Sequence, residues 1–112
     1  MDKDPKIYIE HIQEAINKIG KYVRGLTFEQ FIEDDKTHDA VIRQLETIGE
    51  ASTQLEEEFK QKYPNLPWKF MQAMRNKLIH EYFGVDLEIV WQTITESLPE
   101  LEVEIKKFEN IL

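Results

Sequence analysis

Residues 41–59 read VIRQLETIGEASTQLEEEF, and their pattern decides the fold class of this chain of 112 residues. Apolar or small residues recur there in alternating steps of four and three, as along one stripe of a long amphipathic helix: Val41, Leu45, Ile48, Ser52, Leu55 and Phe59. Small residues make the middle of this helix narrow: Gly49, Ala51 and Ser52. We expect another helix to come close there, either from the same chain, which we favour, or across a dimer interface.

Two helices are predicted on the N-terminal side of this stripe. The Asp4-Pro5 pair has the form of an N-cap and a first helical residue, and a long amphipathic helix should follow it and end near Gly25. Residues 27–30, TFEQ, resemble a capping box and predict a short second helix. Residues 34–37, DDKT, break the apolar pattern, so we expect a connector there.

Two further main helices are predicted on the C-terminal side. Residues 63–67, YPNLP, should end the central helix, and Trp68 should start the next one. Asp86 is a plausible N-cap for the last helix, in which Pro99 predicts a kink or a division into two pieces. Strand-like alternation is absent from the sequence. We therefore predict one all-α domain over residues 1–112, an up-and-down bundle of four main helices plus the short second helix.

Composition and charge limit the classes of function. The net charge is −8, which argues against a broad basic face for nucleic acid but not against a small local cleft of positive potential. There is no cysteine, hence no disulfide frame and no thiolate chemistry. The N-terminus carries charge without an apolar signal region, and no apolar run approaches the roughly 20 residues that cross a bilayer. We expect a cytoplasmic protein with no membrane partner.

A cluster of polar residues marks the candidate site. Residues 74–83, MRNKLIHEYF, place Arg75, Asn76, His80 and Tyr82 among apolar neighbours, where unpaired polar groups would cost stability. Arginine offers a charged fork that matches phosphate oxygens, and histidine exchanges a proton near neutral pH. Asparagine can orient the histidine or donate to an oxyanion. These residue types suit phosphate chemistry, and cleavage by attack of a 2′-hydroxyl needs no metal.

Helix geometry restricts how these residues can meet. Arg75 and Tyr82 share one stripe and Asn76 and His80 share another, whereas Arg75 and His80 are separated by about 140° around the axis. One straight helix does not aim both at the same small atom. Either the chain bends near Gly84, or the long arginine reaches round, or two helices assemble the site. A two-fold dimer would provide the second helix by placing another copy of the segment opposite the first.

Other interpretations of the same residues stay open at this point. The polar groups of residues 74–83 can be structural, either bonded to backbone carbonyls or part of a dimer seam. A metal site is disfavoured, because the three histidines are scattered and no H-E-x-x-H motif occurs: His11, His38 and His80. Glu46 and Glu50 stand one turn apart and could form a paired-carboxylate site, but we favour a solvated helix face.

The order of these motifs resembles that of the HepT-like toxins of the HEPN superfamily. Arg75-x-x-x-x-His80-x-Tyr82 matches their R-x4-H-x-Y signature. Further elements of the family pattern follow in the usual order, namely LETIGEA at 45–51, YPNLPW at 63–68, VD at 85–86 and VW at 90–91. The similarity covers most of the chain from about the start of the second long helix.

This resemblance implies a homodimer of helical bundles whose motif helices face each other across a cleft. It implies RNA cleavage without metal or cofactor, which leaves a 2′,3′-cyclic phosphate and a 5′-hydroxyl. Arg75 would stabilise phosphate charge, His80 would be the general acid and base, and Asn76 would match the polar residue after the arginine. It also implies a minimal nucleotidyltransferase antitoxin, MntA, which transfers AMP from ATP to Tyr82 and blocks the RNase.

Two hypotheses of different classes follow. The first is a metal-independent endoribonuclease toxin of a toxin–antitoxin pair. The second is a non-catalytic dimeric module, nucleotide-binding or scaffolding, that forms a complex with a nucleotidyltransferase. A plain structural bundle, with Arg75 and His80 as satisfied core groups, is the third.

Overall fold

A computed structural model describes the backbone of residues 4–80 and 86–109, without the side chains of residues 74, 76–80 and 109. Within these ranges the chain is an all-α bundle without strands, as predicted. The α-helices are, in chain order, α1 (Pro5–Val23), α2 (Phe28–Glu33), α3 (Asp35–Gln54), α4 (Glu57–Lys62), α5 (Trp68–His80), α6 (Leu87–Gln92) and α7 (Leu98–Glu109). None of the helices in this part of the chain is long and apolar enough to cross a membrane.

The predicted capping residues begin the helices. Asp4 and Asp86 each accept a hydrogen bond from the backbone N–H two residues on, at 3.0 and 2.9 Å. Thr27 and Gln30 form the reciprocal capping box, with bonds of 3.2 and 2.9 Å. These side chains satisfy backbone groups that the first helical turn leaves unpaired. Helix α1 ends just before Gly25, whose φ of 77° is a left-handed conformation that glycine adopts without strain.

Helix α3 occupies the centre of the bundle. It packs against α1 and against α5, while α7 packs against α1. The largest fully buried side chains come from these helices and from α2: Ile12, Ile19, Phe31, Val41, Leu45, Ile48, Ser52, Met71, Leu101 and Ile105. Burial of so many aliphatic groups holds α3 in place, because each buried side chain of this size contributes about 1.5–3 kcal/mol relative to exposure.

The start of α3 differs from the expected connector. Asp34 caps the helix by accepting a hydrogen bond from the Thr37 N–H at 3.1 Å, so residues 35–37 are already helical. Hydrogen bonds from the Thr37 hydroxyl and then from its backbone N–H hold the pKa of the Asp34 carboxyl below its ordinary value. The acidic run that breaks the apolar pattern is therefore a helix start, which is where carboxylates are favoured.

The end of α3 also differs, because the stripe of residues 41–59 is divided between two helices. Leu55 is buried but turns to extended backbone, with φ −75° and ψ 138°. Just before it, the hydroxyls of Ser52 and Thr53 donate to carbonyls three residues back, both at 2.7 Å. Such bonds compete with the helical ladder. After the break, Phe59 of α4 packs against Phe108 of α7, with ring centroids 5.9 Å apart.

The interruption predicted at Pro99 lies just before that residue. A π-helical segment, Thr93–Ser97, joins α6 to α7, and the Leu98 N–H donates to the Thr93 carbonyl five residues back. Proline has no N–H for the carbonyl four residues before it, so the regular α ladder cannot continue through this turn. The Thr95 hydroxyl donates to the carbonyl of Trp91 at 2.8 Å. The last helix thus consists of two α-helical pieces, as expected.

Candidate functional site

Helix α5 carries the first residues of the predicted site. Its start is fixed by Trp68, whose indole Nε1 donates to the carbonyls of Lys60 at 3.2 Å and Tyr63 at 3.0 Å. These two bonds tie α5 to the end of α4. The helix continues without interruption to His80, so the predicted arginine and histidine belong to one α-helix. Gly84, where the sequence allows a bend, lies outside the described residues.

Arg75 lies at the surface of α5 and reaches α3. Its Nε donates to Glu50 Oε2 at 2.5 Å, and the two side chains are 36% and 51% exposed. The other oxygen of the same carboxylate, Oε1, accepts from Gln54 Nε2 at 3.3 Å. Within the described part of the chain, no residue hydrogen-bonds Nη1 or Nη2 of this arginine. Among the described residues the outer end of the guanidinium fork thus has no partner, and a fork of this kind is suited to an anion such as phosphate.

The close approach of α3 and α5 depends on Gly49. A Cβ placed on Gly49 would overlap the Cβ of Arg75 and would lie 2.8 Å from its backbone nitrogen and 2.9 Å from its Cα. A side chain larger than hydrogen is thus excluded unless the helices separate. The narrow part of the stripe therefore meets a helix of the same chain, which confirms the interpretation we favoured.

A groove of about 340 Å³ runs between α1 and α3 beside this ion pair. Its walls include Tyr8 and His11 from α1 and Arg43, Glu46 and Glu50 from α3. The rings of Tyr8 and His11 meet edge to face, with centroids 6.4 Å apart. The Glu50 carboxylate thus belongs both to the wall of a groove with mixed charge and to the contact with Arg75.

The exposure of Glu50 agrees with the solvated face that we favoured, but the structure adds a contact that the sequence did not predict. Glu50 is half-exposed, as on a solvated face, but its partner is Arg75 on another helix and not Glu46. The sequence did not reveal this contact. Its only sequence signal is the glycine before Glu50, which marks where a neighbouring helix approaches.

The other predicted site residues can be placed only in part. Arg75 is not a sealed core group, because more than a third of its side chain is exposed and its described partner is a carboxylate. The side chains of Asn76 and His80, and the whole of Tyr82, lie outside the described residues. Their catalytic and regulatory roles therefore stay predictions. Among the side chains that the structure describes, no three of His, Asp or Glu come together as metal ligands.

Comparisons with known proteins give a consistent result. The model of the family described as "Ribonuclease HepT-like" matches residues 12–108. A protein of Thermococcus cleftensis named "Probable ribonuclease HepT" is 47% identical over 110 residues, which are 98% of this chain and 100% of that protein. A protein of Caldanaerobacter subterraneus subsp. tengcongensis, whose name begins "Putative RNase", is 45% identical over 105 residues, 94% of each chain. Another so named, from Methanocaldococcus jannaschii, is 43% identical over 110 residues, 98% of this chain and 88% of that protein. No solved structure gives a significant match.

Proposed function

This chain belongs to the HepT-like ribonuclease family, and from that membership we propose that it is an endoribonuclease that cleaves RNA without a metal ion. The observation that carries the proposal is how the guanidinium of Arg75 is held and exposed. Its Nε is held by Glu50, its side chain is 36% exposed, and no described residue bonds the end of its fork. A guanidinium fixed in this way is suited to bind a phosphodiester and to balance the charge that develops during cleavage.

The proposed reaction is an in-line attack of a ribose 2′-hydroxyl on the adjacent phosphorus. His80 accepts the hydroxyl proton as the O2′–P bond forms, and an imidazolium returns a proton to O5′ as the P–O5′ bond breaks. The products are a 2′,3′-cyclic phosphate and a 5′-hydroxyl. Arg75 stabilises the extra negative charge on the phosphate oxygens, and Asn76 orients the imidazole or donates to one of those oxygens.

We propose that two copies of the chain build this site. Positions 75 and 80 of the continuous helix α5 differ by about 140° around its axis, so one helix alone does not direct both side chains at one phosphate. A two-fold dimer in which the α5 helices face each other would supply the second arginine and histidine. It would also supply one imidazole as base and another as acid.

The purified chain, free of any partner, is expected to cleave single-stranded RNA in the presence of EDTA, since each proposed step uses only protein groups. The measurement is the time course of a labelled RNA, with product ends identified by enzymatic labelling. Products should accept a new 5′-phosphate from a kinase without prior dephosphorylation, because the 5′ end is a free hydroxyl. Light scattering should give the active species a mass of two subunits.

Two results would contradict parts of this proposal. Cleavage that stops in EDTA and returns with added Mg²⁺ would exclude the metal-independent reaction. Full activity at the mass of one subunit would exclude the shared site. A complete lack of cleavage would favour the second function, a dimeric nucleotide-binding or scaffold module, which the net charge of −8 favours because RNA is held more weakly by an acidic protein.

We also propose that the chain is the toxin of a toxin–antitoxin pair and that a minimal nucleotidyltransferase silences it. In this step the phenolic oxygen of Tyr82 attacks the α-phosphorus of ATP and loses its proton, while pyrophosphate leaves. Position 82 is seven residues after Arg75, so on a continued helix it would share that stripe. An anionic AMP group there would compete with RNA phosphate for the arginine fork.

Incubation with ATP and a nucleotidyltransferase encoded beside this chain is expected to add the mass of one AMP group to Tyr82 and to stop RNA cleavage. Peptide mass spectrometry locates the adduct, because the modified residue shifts the masses of its fragment ions. Tyr82→Phe should cleave RNA but resist both the adduct and the inhibition. Tyr22→Phe, at an exposed position of α1, is the matched control. An adduct on another residue, or an inactive but unmodified chain, would remove this regulatory proposal.

A further inference from the structure

The guanidinium of Arg75 is fixed through a chain of contacts that begins on α3. Gln54 donates to Oε1 of Glu50 at 3.3 Å, and Oε2 of the same carboxylate accepts from Arg75 Nε at 2.5 Å. Gln54 and Glu50 are one turn apart on the same helix, so the glutamate is oriented before it meets α5. Both oxygens of the Glu50 carboxylate therefore accept a hydrogen bond. This disfavours a switch of the carboxylate from Arg75 Nε to another nitrogen of the guanidinium.

The backbone of Arg75 is fixed on the same side. Gly49, the residue before Glu50, lies against the backbone nitrogen and Cα of Arg75 so closely that a Cβ would come within 2.9 Å of both. The two neighbouring residues on α3 therefore fix different parts of Arg75. Gly49 sets where the arginine leaves its helix, and Glu50 sets where the guanidinium ends.

We propose that Glu50 is a positioning residue for Arg75 in the cleavage of RNA, an inference that rests on the proposed function. A guanidinium can offer a phosphate either the Nε side or the Nη1–Nη2 end of its fork. The carboxylate occupies the Nε side, so the Nη1–Nη2 end remains for the scissile phosphate. Glu50 does not touch the substrate, and it acts by holding the arginine in the one orientation that reaches the phosphate oxygens.

Because this ion pair is partly exposed, the effect of Glu50 on catalysis can be separated from its effect on stability. The two side chains are 36% and 51% exposed, and ion pairs between side chains as exposed as these contribute little to folding. Loss of Glu50 should therefore leave the fold intact. The same carboxylate adds a negative charge beside the phosphate site, so its removal should favour RNA binding. Positioning thus predicts that the turnover falls while the affinity for RNA stays equal or rises.

The test compares Glu50→Ala and Glu50→Gln with Glu46→Gln in the dimeric protein. Glu46 has the same charge, lies one turn earlier on the same groove wall and has no ion pair with a described residue. We expect kcat to fall about five- to tenfold in Glu50→Ala, since an ion pair this exposed biases the orientation of the arginine by no more than about that factor. Glu50→Gln keeps a neutral acceptor of the same length, so it should recover part of that loss. KM should not rise in either variant, and Glu46→Gln should keep the wild-type kcat.

A second measurement does not depend on cleavage. The Nε–H signal of Arg75 in ¹⁵N–¹H NMR, assigned by its loss in Arg75→Lys, should exchange slowly with water in the wild type and fast in Glu50→Ala. Equal exchange in both would overturn the proposal, as would a kcat of Glu50→Ala equal to that of Glu46→Gln. A rise in kcat would overturn it too, because Glu50 would then be restraining the arginine. If the wild type does not cleave RNA but shows the slowly exchanging Nε–H signal, the proposed nuclease activity is refuted. The contact between Glu50 and Arg75 then still stands.

Discussion

Replacing His80 with alanine is expected to reduce RNA cleavage below detection. A general acid or base contributes about 10²–10⁴-fold, and the proposed shared site would lose both of its imidazoles with one substitution. Alanine is the best helix former, so the change should not shorten α5, which ends at this residue in the described chain. The measurement is the single-turnover rate on a labelled RNA at neutral pH in EDTA.

The chain offers a matched control for this experiment. His38 lies between the carboxylates of Asp35 and Asp39, at 3.2 and 3.4 Å, at the start of α3. His38→Gln places an amide nitrogen about where Nε2 meets Asp35 and should cleave RNA at the wild-type rate. If His80→Ala cleaves as fast as the wild type, the activity comes from a contaminating nuclease and the non-catalytic module becomes the better hypothesis.

Two substitutions of Arg75 should reduce RNA cleavage to different extents. Arg75→Ala removes the charge and the fork, so cleavage should again fall below detection, whereas Arg75→Lys keeps a point charge and should retain an intermediate rate. A partly exposed arginine whose described partner is a single carboxylate contributes little to folding. Both variants should therefore unfold at nearly the wild-type temperature, and this separates a catalytic loss from a structural one.

Much of the fold could be predicted because it depends on local rules. The Asp4-Pro5 start, the capping box at residues 27–30 and the cap at Asp86 are short-range patterns, and each is present. The division of the last helix before Pro99 follows from the missing N–H of proline. These features are decided within one or two turns of the chain, which is the range that a sequence pattern describes well.

The end of α3 could not be predicted in the same way. The apolar stripe continues through Leu55 to Phe59, and only the structure shows that the backbone turns between them. After the turn, the rings of Phe59 and Tyr63 lie 5.9 and 4.4 Å from that of Phe108. Contacts with residues so far apart in the chain override the helical spacing, and such tertiary gains are not visible in a periodic pattern.

The candidate site was predictable in its residue types but not in its supporting contacts. Arg75 was identified because a charged residue in an apolar segment requires a reason. Its pairing with Glu50, which lies 25 positions earlier in the sequence, depends on the distance and rotation between their two helices. Those quantities are set by the packing at Gly49, so a substitution of Gly49 should also disturb the ion pair between Arg75 and Glu50.

Gly49→Ala is therefore expected to destabilise the fold, although alanine is the better helix former. Helix propensity alone would stabilise the chain by about 0.5–1 kcal/mol. The added methyl group would instead overlap the Cβ of Arg75 and lie 2.8 Å from its backbone nitrogen. Those atoms cannot rotate away, so α3 and α5 must separate, and overpacking of this kind costs about 1–3 kcal/mol. The measurement is the free energy of unfolding in urea.

Gly20→Ala supplies the control for that measurement. Gly20 also lies inside a long helix, α1, but nothing stands within 4 Å of a Cβ added there. This variant should gain the propensity term of up to about 1 kcal/mol, so the two substitutions should change stability in opposite directions. Gly49→Ala should also lower kcat, because a displaced α3 carries Glu50 away from Arg75. A stabilised Gly49→Ala variant with wild-type kcat would show that α3 and α5 can separate freely. Neither the packing at Gly49 nor Glu50 would then determine the position of Arg75.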